Sequence, residues 1–71
     1  MEVKIGMEYL VNNLHVRQDV AKAISNLRQG DRGAYQRCLE ELQDHTLPEK
    51  NAEIAMLCLE AKLKGENIIK I

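Results

Sequence analysis

The sequence has no tryptophan, no phenylalanine and only two tyrosines. Platforms that hold single-stranded nucleic acid stack bases on aromatic side chains, so that architecture is excluded. Any core must instead be aliphatic and cysteine-lined. Long apolar runs are also missing: the longest, Ile54 to Leu59, has six residues, against the ~20 a helix needs to cross a bilayer. Neither sign of charge dominates, with 10 Lys+Arg against 11 Asp+Glu and a net charge of −1. That balance gives no global attraction to phosphate backbones or anionic membranes. The opening MEVKIGMEYLVNN lacks a basic leader followed by an apolar stretch and a cleavage site, so no secretion signal is expected and a cytoplasmic setting is. The two cysteines, Cys38 and Cys58, are then expected as free, buried thiols rather than a bridge.

At 71 residues the chain is one domain, residues 1–71. A fold this short buries only ~60% of the surface its unfolded chain exposes, which leaves a thin margin of stability unless a partner covers it. With 45% hydrophobic and 30% charged residues, folding is nonetheless the default. There is no internal repeat and no low-complexity tract.

What is present is helical. Leu, Ala, Glu, Lys, Arg, Gln and Met fill the space between four breaks, at Asn12-Asn13, Gly30-Asp31, Thr46-Leu47-Pro48-Glu49 and Gly65, and β-branched residues cluster near the two ends. The expected fold is all-α, a small bundle of three to four short helices, with short extended segments at the termini as an option. Met7, Leu10, Val11 and Leu14 make one stripe, and Val16, Val20, Ala23, Ile24 and Leu27 make another about 120° away on a straight helix at 100° per residue. Either the chain bends between Asn12 and Gln18, with Asp19 as N-cap of a second helix, or one long helix touches different neighbours. Gly30 is read as the C′ glycine of that helix and Asp31 as the N-cap of the next, whose stripe is Ala34, Tyr35, Cys38, Leu39 and Leu42. His45 falls in the last turn of that helix. Thr46-Leu47-Pro48-Glu49 has the form of a capping box opening a final helix that ends at Lys64, with Gly65 as its C′ residue. Val3 and Ile5 alternate with Glu2 and Lys4, and Asn67 to Ile71 follow the last cap. These ends either pair with each other, pair across a dimer, or serve as an opening helical turn and a docking tail.

Chemistry finds little support. Cys38 and Cys58 sit in apolar stripes, the packing position, rather than beside a base. His15, Cys38, His45 and Cys58 lack the close spacing of structural zinc ligands. Glu40, Glu41 and Asp44, and Glu49 with Glu53, read as solvated faces. Gly30 and Gly33 lack the lysine and hydroxyl residue of a phosphate loop. No enzyme activity, cofactor, metal or small-molecule substrate is expected. The turn at Gly30 also fails as a DNA-reading helix-turn-helix, because Asn26 and Gln36 occupy positions that need apolar residues.

The last helix is the informative one. Ala52, Ala55, Met56, Leu59 and Leu63 form one stripe, and Ile54, Leu57, Cys58 and Ala61 a second on nearly the opposite side. A helix apolar around most of its circumference is surrounded by protein. The expected function is therefore a small protein–protein interaction module, an adaptor, small chaperone or inhibitor, contacting a partner or a second copy through Ile54, Leu57, Cys58 and Ala61, with Ile68, Ile69 and Ile71 as an anchoring tail. The alternative is a nucleic-acid-associated regulator with phosphate contacts from Arg28, Arg32 and Arg37. Charge is also uneven: residues 15–37 carry Arg17, Lys22, Arg28, Arg32 and Arg37 against Asp19 and Asp31, and residues 38–53 carry Glu40, Glu41, Asp44, Glu49 and Glu53 against Lys50. The two patches either orient a partner or attract each other within the fold.

Overall fold

The structure, a computed structural model, describes residues 1–44 and 46–71; the expectation for His45 lies outside the described residues. The order is β1 (Glu2–Lys4), α1 (Met7–Asn12), α2 (Gln18–Ser25), α3 (Arg32–Asp44), α4 (Glu49–Leu63) and β2 (Ile68–Lys70). The fold is a small four-helix bundle closed by a two-stranded antiparallel ribbon, with Glu2 opposite Lys70, Val3 opposite Ile69 and Lys4 opposite Ile68. Of the readings open for the two ends, pairing with each other is the one realised. Alternation explains it: Val3 and Ile69 turn inward and are buried, while Glu2, Lys4, Ile68 and Lys70 stay exposed.

The first two apolar stripes centre on two helices, with Leu14, Val16 and Leu27 in the connections beside them. After Asn12 the chain reverses through His15, whose φ is +60°, and the Val16 N–H returns to the Leu10 carbonyl at 2.9 Å. The Asn51 amide of α4 holds the Leu14 carbonyl at 3.1 Å. This turn lets Leu10, Leu14, Val16, Val20 and Ile24 all reach one core. Asp19 is not the cap of α2: the helix begins a residue before it, and its Oδ1 accepts the neighbouring Val20 N–H at 2.9 Å while also pairing with Arg17.

Asp31 caps α3 as its sequence position implies, accepting the Ala34 N–H at 3.1 Å. Gly30 has a different role from the one expected. α2 stops at Ser25, three residues too early for Gly30 to be its C′ glycine. Instead Gly30, at φ +79°, sends its N–H to the Leu63 carbonyl at 2.9 Å, joining the start of α3 to the end of α4. The capping box at Thr46 to Glu49 is also not formed. α4 starts at Glu49 with Pro48 as the flanking residue at ψ 142° and no side-chain cap. Pro48 stays extended and Leu47 packs against the core, which moves Thr46 and Glu49 out of the one-turn spacing that a reciprocal cap needs.

The C-terminus of α4 closes as read from sequence. Glu66 N–H bonds the Ala61 carbonyl at 2.8 Å and Gly65 N–H bonds that of Lys62 at 3.0 Å, the two bonds of a Schellman motif, with Gly65 at φ +86°. A Cβ on Gly65 would also lie 2.8 Å from the Gln29 side chain. Gly65→Ala is expected to cost about 1–2 kcal/mol, the penalty for a left-handed L-residue, whereas His15→Gly relieves that same conformation and raises stability by up to about 1 kcal/mol. Urea denaturation of both variants beside the wild type measures the two opposite signs.

Candidate protein-binding face

α4 is the structural centre, in contact with α2, α3 and β2. Its first stripe packs as expected: Ala55 and Leu59 are fully buried, and Met56 and Leu63 lie against the core. The second stripe is divided. Cys58 is 0% exposed and Ala61 is buried, so these two are spent on the protein's own core; Ile54 is half-buried, and Leu57 alone is open, at 45%. The tail is divided the same way. Ile69 faces the core opposite Val3, while Ile68 and Ile71 are 51% and 46% exposed.

The chain thus leaves less of α4 bare than its length alone implies. Short elements cover the helix because the two ends of the chain add a ribbon, and because the small Ala55 and Ala61 are buried beneath their neighbours. What is left is compact. Leu57 and Ile68 line one open groove shared by α4 and the ribbon, together with Glu2, Glu60, Lys64, Glu66 and Lys70. The groove is thus an apolar strip edged by charges of both signs. Glu66 and Lys70 were not singled out from the sequence. The signal was there for Lys70, since the i, i+2 spacing of Ile68 and Lys70 places both on one side of β2, whereas Glu66 is set by the turn that ends α4.

Arg28, Arg32 and Arg37 are all exposed. Arg28 and Arg32 flank the Gly30–Asp31 turn. Arg37 lies back along α3, its Nη1 3.7 Å from the position of a Gly33 Cβ, and shares a shallow groove with Asp19 and Glu41. Arg17 binds Asp19 and reaches Glu41 of α3 at 3.0 Å. The basic middle and the acidic stretch therefore do attract each other within the fold at this point. The hydrogen bond from Arg17, with its charge, holds the Asp19 carboxyl below the usual range.

No three His, Cys, Asp or Glu side chains converge on a metal position among the described residues. Cys38 and Cys58 are unlinked and buried, and no helix among the described residues is long and apolar enough to cross a membrane. Burial pushes the Cys58 thiol up to about 11 and raises that of Cys38. Compared with known proteins, the chain matches no family model, no curated protein and no solved structure.

A thiol whose folded pKa is raised stays protonated where the unfolded chain's thiol ionises. Its contribution is complete below the unfolded value of ~8.5 and is lost as pH rises toward about 11. Both thiols should resist a thiol-specific reagent at neutral pH and react in full in denaturant, and Cys58 should gain reactivity together with loss of stability between those two pH values. Rapid labelling of Cys58 in native protein at neutral pH would contradict its placement.

Proposed function

We propose that this protein is a small, non-enzymatic protein-binding module, acting as an adaptor, small chaperone or inhibitor. Its contact face is Leu57 of α4 with Ile68 and Ile71 of the C-terminal segment, and with Ile54 at the margin. The observation that carries the reading is that the large apolar side chains left exposed on α4 and β2, Leu57 and Ile68, line the same groove. Their exposure costs free energy in the isolated chain: full burial of a leucine or isoleucine is worth about 1.5–3 kcal/mol, and roughly half of that remains to be gained at each. A partner recovers it. Two unlinked thiols fit a reducing, cytoplasmic setting.

The nucleic-acid alternative rests on Arg28, Arg32 and Arg37, of which Arg37 shares its groove with Asp19 and Glu41, carboxylates that offset its charge.

Because Leu57 is already half in water, Leu57→Asp should lower stability by less than about 1 kcal/mol and leave the circular dichroism spectrum unchanged. The expected outcome is at least a tenfold loss of affinity for a purified partner, first captured on the wild type and then identified, with Ile68→Asp behaving alike. Arg32→Glu should leave that affinity unchanged. Tight RNA or DNA binding that weakens with salt and is lost in Arg32→Glu, with Leu57→Asp silent, would replace the protein-binding reading by the nucleic-acid one.

A further inference from the structure

The ribbon leaves one row of backbone groups unpaired. Met1 and Ile71 exchange both backbone bonds, at 2.8 and 2.9 Å, and the Ile5 N–H donates to the Asn67 carbonyl at 2.8 Å. Bonded pairs alternate along an antiparallel ladder, so with Val3 opposite Ile69 it is the odd-numbered residues of each strand that bond across the ribbon. The N–H and C=O groups of Ile68 and Lys70 consequently point away from β1, along the open edge of β2. An edge of this kind is a template for another strand.

Charge selects the strand that fits. Along the exposed side of this segment run Glu66, Ile68 and Lys70, acidic at one end, apolar in the middle and basic at the other. Neither Glu66 nor Lys70 has an ion-pair partner among the described residues. Turned antiparallel about Ile68, the segment is complementary to itself: Glu66 falls opposite Lys70, Ile68 opposite Ile68, and Lys70 opposite Glu66. The parity of the backbone agrees at Ile68 and Lys70, which present both bonding groups outward; the Glu66 N–H is already held by the Ala61 carbonyl at 2.8 Å, so Glu66 offers only its carbonyl to the Lys70 N–H of the second copy. We infer that β2 pairs with β2 of a second copy in this register, forming a four-stranded sheet across a two-fold axis. This rests on the protein-binding reading and names a second copy as the occupant of the groove beside Leu57.

The edge of β1 is a poorer candidate. Its outward groups belong to Glu2 and Lys4, with no apolar side chain on that side to bury. Pairing there would bring together charges alone.

The contact is small. A three-residue strand and one leucine bury far less than the ~1,200 Å² of a standard interface, so the dimer is weak and in rapid exchange, with dissociation in the micromolar range or above. Sedimentation equilibrium of the full chain over a concentration series tests it with Glu66→Lys, Lys70→Glu and their equimolar mixture. Each single variant sets like charges opposite each other twice per dimer and should weaken self-association roughly tenfold. In the mixture, a copy carrying Glu66→Lys meets a copy carrying Lys70→Glu, so the two exchanged charges face each other with opposite sign and association should be restored. Glu66→Lys leaves the Glu2–Lys70 side of the ribbon intact, which separates lost association from a damaged fold.

Three results would overturn the inference: a wild-type chain that stays monomeric at millimolar concentration, a mixture no tighter than its components, or rescue seen for Glu2→Lys mixed with Lys4→Glu and not for the variants at Glu66 and Lys70. If the chain is monomeric while Leu57→Asp still abolishes binding of the purified partner, the second-copy proposal fails and the protein-binding reading stands. If neither holds, both fall.

Discussion

The whole architecture follows from the need to sheathe α4. That helix is apolar on nearly every side, and in water its central residues, Ala55, Cys58 and Leu59, would be exposed all round. Here all three are 0% exposed. A chain without Phe or Trp has no single large side chain with which to cover so much surface, so it uses many small contacts from elements far apart in sequence. α2 and α3 cover two sides, and the terminal ribbon brings Val3, Ile5 and Ile69 to close the core. The bond from Gly30 to the Leu63 carbonyl ties the α3 side of this sheath to the end of the helix it encloses. Since α1 spans only Met7–Asn12, too short to be stable alone, the short elements depend on α4 as much as α4 depends on them.

Features of the fold that were legible in the sequence are those fixed within a few residues. The Asp31 cap needs only the Ala34 N–H one turn on, and the Gly65 termination needs only a residue free to take φ +86°. The division of the first 29 residues into two helices was present in the phase difference between two stripes. The capping box failed although it is just as local, because Pro48 is compatible with both a helical and an extended ψ, and tertiary packing of Leu47 selected the extended one. Gly30 failed for a related reason: its partner, Leu63, is two helices away. The pairing of Glu2–Lys4 with Ile68–Lys70 joins the two ends of the chain, and alternation shows that each segment is extended without saying what it pairs with.

The candidate face was half legible, and the physical reason is specific. Periodicity identifies which residues of a helix are apolar together, but a stripe facing the protein's own core and a stripe facing a partner have the same spacing. Cys58 and Ala61 are small and buried. Leu57, one position before Cys58, is turned about 100° around the axis, and that single step takes it past the edge of the sheath. In the tail the same distinction is made by the two-residue alternation of a strand, which buries Ile69 and exposes Ile68.

Stability and recognition are thus carried by different side chains in this protein. The described residues bury no polar or charged group, and the Arg17 ion pairs are solvent-exposed, where such pairs contribute about 0–1 kcal/mol. The fold therefore depends on aliphatic burial and backbone closure, and its surface charges are free to vary at little structural cost. Glu66 and Lys70 are in that position, beside an open strand edge and an uncovered leucine. Proteins that guard an edge against pairing put a lysine, a proline or a bulge in the middle of it. This edge instead has isoleucine at its centre and opposite charges at its two ends, a pattern that does little to repel a second strand and, for an antiparallel copy of itself, supplies the match.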